Sequence, residues 1–268
     1  MDFASMHSTD HQEKPVVPNR RCKVAVTGKG GSGKTVLTAL LTGILARDGR
    51  LRTLAIDADS AISLPYALGM KVPVTVAEIR RQIIEDPYVK AEIDQRPMRD
   101  VMAEALVPGK GFDLLVMGRP EGPGCYCSIN DLLRYGIERL SKDFDITLVD
   151  CEAGPEQVNR RVVKGVDLLI IVTDGSLRGM QAARAIAEVA RTDEEMRSTQ
   201  TYLVINRFKT ENRLITEQAT DWNLEVLGFI PEDETLAEYD SIGKPLIELP
   251  DTSPSLAAAR EIVRKLFT

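Results

Sequence analysis

No uninterrupted apolar run in the 268 residues approaches the roughly 20 needed to cross a bilayer, so no transmembrane anchor is expected. The first residues carry no apolar core of the secretory kind, and the expected location is the cytoplasm. Positive charge is in deficit. With 34 Lys and Arg against 40 Asp and Glu, the formal charge is −6, and no net field draws the chain to nucleic acid or anionic lipid. Histidine is nearly absent: His7 and His11, four apart, are the only two. They could meet as metal ligands on one helical face. They lie, however, in a polar, aperiodic stretch, residues 1–21, that reads as a mobile tail with solvated side chains. Cysteine is scarce as well. Cys22, Cys125, Cys127 and Cys151, in a chain without an export signal, argue against a disulfide framework and leave metal or redox roles open. Internal repeats are absent.

What remains is an ordinary globular composition, 43% hydrophobic and 28% charged, long enough for one large domain over residues 22–268. Apolar strand-like runs at 22–27, 51–57, 112–117, 146–150, 166–172, 201–205 and 224–230 alternate with helical patterns at 36–47, 76–85, 98–106, 129–140, 176–195 and 255–266. That alternation predicts an α/β fold, a mostly parallel sheet flanked by helices. Between residues 62 and 111 the helical pattern is interrupted, with Pro65, Pro73, Pro87, Pro97 and Pro108 read as breakers. The stripe Leu256, Ile262, Val263 and Leu266 reads as core rather than as a membrane-binding face.

The chemistry centres on Gly28-Lys29-Gly30-Gly31-Ser32-Gly33-Lys34-Thr35, which matches the phosphate-binding pattern G-x-x-x-x-G-K-[ST] between a strand and a helix. The glycines let backbone N–H groups converge on one anion, and the following helix adds its positive end. Lys34 is expected at the β- and γ-phosphates and the Thr35 hydroxyl on Mg²⁺. The nucleotide-contacting run extends to Val36. A second strand ends in Asp57-Ala58-Asp59-Ser60. At the carboxyl edge of a parallel sheet one of these carboxylates could orient or deprotonate the attacking water and the other hold Mg²⁺ through its waters, or the pair could cap the loop. Asp150 ends another apolar run in the Walker-B manner, beside Mg²⁺. Cys151-Glu152-Ala153-Gly154 follows as a switch, with the Gly154 N–H able to approach the γ-phosphate and Cys151 either a small core residue or a sensitive group. Asn206 at a strand end can bond an adenine edge with both amide groups, and Arg207, Pro231 and Glu232 frame the base.

After the run at 112–117, a Gly/Pro-rich turn presents Cys125-Tyr126-Cys127. Two thiolates one residue apart can bite a soft or borderline ion such as Ni²⁺ or Zn²⁺, but two ligands do not close a site. A symmetric dimer would supply the other two. Two buried small hydrophobes or a redox pair are the alternatives.

The double-lysine loop, with Lys29 and Lys34, resembles the deviant Walker A of the SIMIBI NTPases, the group of the Min and Par positioning ATPases, nitrogenase iron protein and metal-insertion ATPases. That resemblance implies an ATP-driven homodimer in which Lys29 of one subunit reaches the phosphates bound by the other. It also implies Asp59 as the water-activating Asp, Asp150 as the Mg²⁺-side Asp, and Asn206 as the adenine reader. Within the group, Gly124-Cys125-Tyr126-Cys127 and Asp150-Cys151-Glu152-Ala153-Gly154-Pro155-Glu156 resemble the CooC family of carbon monoxide dehydrogenase accessory ATPases, over about residues 23–267. The implied activity is ATP hydrolysis coupled to nickel insertion into a carbon monoxide dehydrogenase or acetyl-CoA synthase. Val36 replaces a Thr often found there, and Cys151 is not a family requirement. Two other readings compete. An iron–sulfur reductase like nitrogenase iron protein would need a cysteine where this chain has Glu156-Gln157-Val158, and a positioning ATPase would need a basic amphipathic helix or basic surface.

Overall fold

The computed structural model describes residues 21–119, 127–154, 165–193, 196, 199–209 and 213–267, with the backbone alone at 127–133. The stretch 1–20, with His7 and His11, lies outside the described residues, as does Cys125.

Eight strands form one sheet: β1 (Cys22–Gly28), β2 (Thr53–Ala58), β3 (Val107–Pro108), β4 (Phe112–Val116), β5 (Ile146–Cys151), β6 (Leu168–Thr173), β7 (Gln200–Phe208) and β8 (Glu225–Pro231). Their order is β3-β4-β2-β5-β1-β6-β7-β8, and every pairing is parallel except β3 with β4. The central strands are apolar almost without interruption because both faces are covered. Side chains alternate between those faces: Ala25, Leu169 and Ile171 join one core, while Val24, Val26, Leu168, Ile170 and Val172 join the other.

On the first face lie α3 (Val76–Glu85), α4 (Pro87–Ile93), α5 (Met98–Ala103), α6 (Cys127–Ser141), α7 (Leu177–Thr192) and α8 (Arg213–Asp221). On the second lie α1 (Lys34–Asp48), α2 (Leu64–Leu68), α9 (Glu234–Ser241) and α10 (Pro254–Phe267). Leu256, Ala259 and Ile262 of α10 pack into that second core with Leu37, Leu40 and Leu41 of α1, so the C-terminal stripe is core, as its pattern predicts.

Three of the prolines read as breakers instead open helices. Pro65 and Pro87 stand in the first turn of α2 and α4, and Pro97 is the N-cap of α5. The missing N–H of proline costs nothing there, because first-turn donors have no intrahelical acceptor. Thr75 caps α3 through a reciprocal capping box with Glu78. The helix expected to reach residue 195 has its C-cap at Asp193.

Candidate functional site

The carboxyl ends of β1, β2, β5, β6 and β7 converge on the loop after β1. Its path is one that side chains forbid. Gly28 has φ +150°, and a Cβ there would stand 2.2 Å from the Val172 carbonyl oxygen. Gly33 has φ +95°, and a Cβ there would stand 2.0 Å from Asn206 Nδ2. The loop is therefore wedged between β6 and the Asn206 side chain. Asn206, buried, donates from Nδ2 to the Ser32 carbonyl at 2.8 Å, so one amide donor expected at an adenine braces the loop instead. Lys34 is 7% exposed and curls back so that Nζ donates to the Lys29 carbonyl at 3.4 Å. Val36, half-buried, packs against both cores of the second face.

Below the loop, Thr35 donates its hydroxyl proton to Asp150 Oδ2 at 2.7 Å. Asp150 is 0% exposed, and its Oδ1 has no hydrogen-bond partner. Burial pushes its carboxyl up to about 7, against the Thr35 hydrogen bond, with the Asp57 charge adding to the rise. A desolvated carboxylate with one unsatisfied oxygen, one bond from a hydroxyl, suits Mg²⁺ and its water shell. The cation would supply the positive charge this ionised group lacks.

Asp57 lies in register with Asp150 on the neighbouring strand and is likewise 0% exposed. Its Oδ1 accepts the Asp59 N–H and its Oδ2 the Leu64 N–H, each at 3.0 Å. Burial raises its carboxyl to about 6, opposed by those two N–H groups. Asp57 thus caps the loop at 59–64 with both oxygens, a role compatible with the water-mediated Mg²⁺ contact also expected of it. Asp59 stands half-exposed at the rim, and its Oδ1 accepts the Ala61 N–H at 2.9 Å.

Lys29 does not turn toward its own loop. Its Nζ lies 4.0 Å from Asp174 Oδ2, and its side chain is 41% exposed. Asp174, just past β6, is anchored through Oδ1 by the N–H and hydroxyl of Ser176. The Gly154 N–H, expected at the γ-phosphate, donates to the Gly28 carbonyl at 3.2 Å, and Ser60 Oγ donates to Glu152 Oε1 at 3.3 Å. The segments that carry Ser60 and Gly154 are thus tied to the loop and to each other. At the β7–β8 edge, Arg207 is exposed at φ +55°, where the register shifts. Pro231 pairs with Phe208, and Glu232 is bridged to Lys209 at 3.2 Å.

Cys127 opens α6, and the thiols of the Cys125/Cys127 pair lie outside what is described. Among the described residues no group of three or more His, Cys, Asp and Glu could hold a metal. Cys151 is buried and its thiol is pushed well up by burial, in keeping with a core residue. No helix among the described residues is long and apolar enough to cross a membrane. Two residues that motif reading passes over also belong to the site. Asp174 occupies the strand-end position that singled out Asp57 and Asp150. Ser63 reads as a helix cap, yet its hydroxyl meets that of Thr35 at 3.1 Å.

The CbiA description, "CobQ/CobB/MinD/ParA nucleotide binding domain", matches residues 23–246. An uncharacterized ATP-binding protein of Methanocaldococcus jannaschii is 39% identical over 249 residues, 91% of this chain and 98% of that protein. The carbon monoxide dehydrogenase accessory protein CooC of Rhodospirillum rubrum is 30% identical over 243 residues, 85% of this chain and 90% of that protein. The septum site-determining protein MinD of Pyrococcus horikoshii, solved with Mg-ADP, superposes with a TM-score of 0.69 at 20% identity, covering 92% of this chain and 96% of that one.

Proposed function

The chain belongs to the CobQ/CobB/MinD/ParA nucleotide-binding family of P-loop ATPases, and from that premise we infer that it is a homodimeric metallochaperone whose ATP hydrolysis drives nickel insertion into a client enzyme. The observation that carries this reading is the origin of the Cys125-Tyr126-Cys127 segment. It leaves the sheet from the carboxyl end of β4, whose Val116 is in register with Asp57. The chain that leads on to Cys125 and Cys127 therefore leaves the sheet at the same edge as the nucleotide site. Closure of two subunits over ATP would bring two such segments together and complete a four-thiolate site. The CooC relative, a carbon monoxide dehydrogenase accessory protein, supports a carbon monoxide dehydrogenase as the client, and an acetyl-CoA synthase is the other client proposed.

In this reading the N–H groups of 28–34 cradle the β- and γ-phosphates and Lys34 neutralises them. Thr35, Asp150 and, through the ion's waters, Asp57 would hold Mg²⁺, which when bound would supply positive charge beside the phosphoryl groups. Asp59 orients the attacking water, and Lys29 leaves Asp174 for the phosphates of the partner subunit. Arg207, Pro231 and Glu232 line the base, with the Asn206 groups not bound to Ser32 free to read its edge. A positioning role would call for a free amphipathic helix, whereas α10 is spent on the core.

Metal titration tests the cargo. The wild type should bind one Ni²⁺ per two chains, and the Cys125→Ala/Cys127→Ala variant none. Unchanged stoichiometry in that variant removes the metal assignment while leaving the ATPase untouched.

A further inference from the structure

Ser63 occupies the N-cap of α2, where a serine hydroxyl ordinarily accepts a first-turn N–H. It makes no such bond. Its Oγ instead lies 3.1 Å from Thr35 Oγ1. The single Thr35 proton is already given to Asp150 Oδ2, so in this contact Ser63 is the donor and Thr35 the acceptor.

The backbone around Ser63 is built at a cost. Ile62 has φ +53°, an outlier for a β-branched residue, because its Cβ crowds the backbone in the left-handed region. On the other side of Ser63, the Leu64 N–H is held by Asp57 Oδ2, while Asp57 Oδ1 holds the Asp59 N–H. One buried carboxylate thus clasps both ends of the loop, and the strain falls on Ile62. The next residue along is Ser63, whose hydroxyl meets Thr35. Strain that persists beside a site of charge is a pointer to use.

We propose that Ser63 is a metal-site residue, supplying a second hydroxyl to Mg²⁺ beside that of Thr35. Ligands at 2.0–2.1 Å on adjacent corners of an Mg²⁺ octahedron are about 2.8–3.0 Å apart. The two hydroxyl oxygens, at 3.1 Å, already stand near that spacing. Asp150 Oδ2, 2.7 Å from the Thr35 hydroxyl, adds a carboxylate to the pair, and Asp150 Oδ1 is buried without a partner. The consequence reaches Asp59, which shares the clasped loop with Ser63, so a cation held by Ser63 also fixes the segment that presents Asp59. The inference rests on the Mg²⁺–ATP reading above.

The test is ADP affinity, read by fluorescence of a labelled ADP on the full-length chain, in EDTA and in Mg²⁺. Ser63→Ala should match wild type in EDTA and lose about tenfold or more of the tightening that Mg²⁺ confers. Ser63→Thr should restore it, and Ser63→Cys, similar in size but a poor Mg²⁺ ligand, should not. A full Mg²⁺ effect in Ser63→Ala, or in Ser63→Cys should the alanine variant not fold, overturns the assignment. So does an equal loss with and without Mg²⁺, which would mean that Ser63 only shapes the loop. A wild type whose ADP affinity ignores Mg²⁺ removes the underlying site reading instead.

Discussion

Lys34 and Lys29 stand five residues apart in one loop, yet the protein treats them oppositely. Lys34 is buried and hydrogen-bonded to the loop backbone, whereas Lys29 is substantially exposed and meets Asp174 only across 4.0 Å. The same division runs through the whole site. Its floor, made of Thr35, Asp57, Asp150 and Asn206, is largely dry, tied by hydrogen bonds of 2.7–3.0 Å and set by the register of adjacent strands. Its rim, made of Lys29, Asp59, Ser60 and Glu152, is wetter, and the contacts of Lys29 with Asp174 and of Ser60 with Glu152 are longer, at 4.0 and 3.3 Å. A floor of this kind can bind a nucleotide with one chain's residues. A rim of this kind is left to be rearranged by whatever closes over it.

The sharpest way to break the comparison is to disturb the floor where it is tightest. Gly33→Ala puts a Cβ 2.0 Å from Asn206 Nδ2 on a left-handed backbone. It should abolish ATP binding and destabilise the fold by about 2–4 kcal/mol in chemical denaturation. Near-wild-type stability would mean that the loop is looser than its contacts. A second, smaller effect is electrostatic. Asp57 and Asp150 titrate at about 6 and about 7 when folded, against an ordinary 3.8. Across that interval the folded chain binds more protons than the unfolded one, so stability falls as pH rises from about 4 to 7. In EDTA this should be seen as a Tm that falls as pH rises through that interval. Asp150→Asn should remove much of that slope, and equal slopes in variant and wild type would show that the floor bears no such charge tension. The smallest effect on the isolated chain belongs to the rim. Lys29→Ala should change stability by less than about 0.5 kcal/mol and spare ADP binding, because exposed ion pairs are weak. It should nevertheless cut ATPase activity and ATP-driven dimerisation. A variant that still dimerises and turns over normally would sink the cross-subunit role.

Much of the fold is legible from residue patterns because the buried strands are so continuous. Leu168 to Thr173, all buried, admits few other readings. Helices with little to bury leave little trace. Of α8 only Ala219 is fully buried and of α9 no residue is, so neither announces itself by periodicity. The two-residue β3 is too short for any pattern and exists by pairing with β4. In the site, strand-end position and loop spacing find Lys34, Thr35, Asp57, Asp59 and Asp150. Hydrogen-bond direction is another matter. That Asp57 closes a loop depends on which way its two oxygens turn, and that Asn206 braces Ser32 and Ser63 forsakes its cap for Thr35 depend on contacts between residues remote in sequence.

The bond from Asn206 to Ser32 spans 174 positions, and that from Thr35 to Asp150 spans 115. Contacts of such separation form late in folding, since the intervening chain must first be gathered in. During synthesis the loop emerges early, but its brace arrives only when β7 has left the ribosome and joined the sheet. Fragments that stop before β7 carry the whole phosphate-binding motif and lack the Asn206 brace. The loop's full set of ties is thereby complete only when both halves of the sheet are in place.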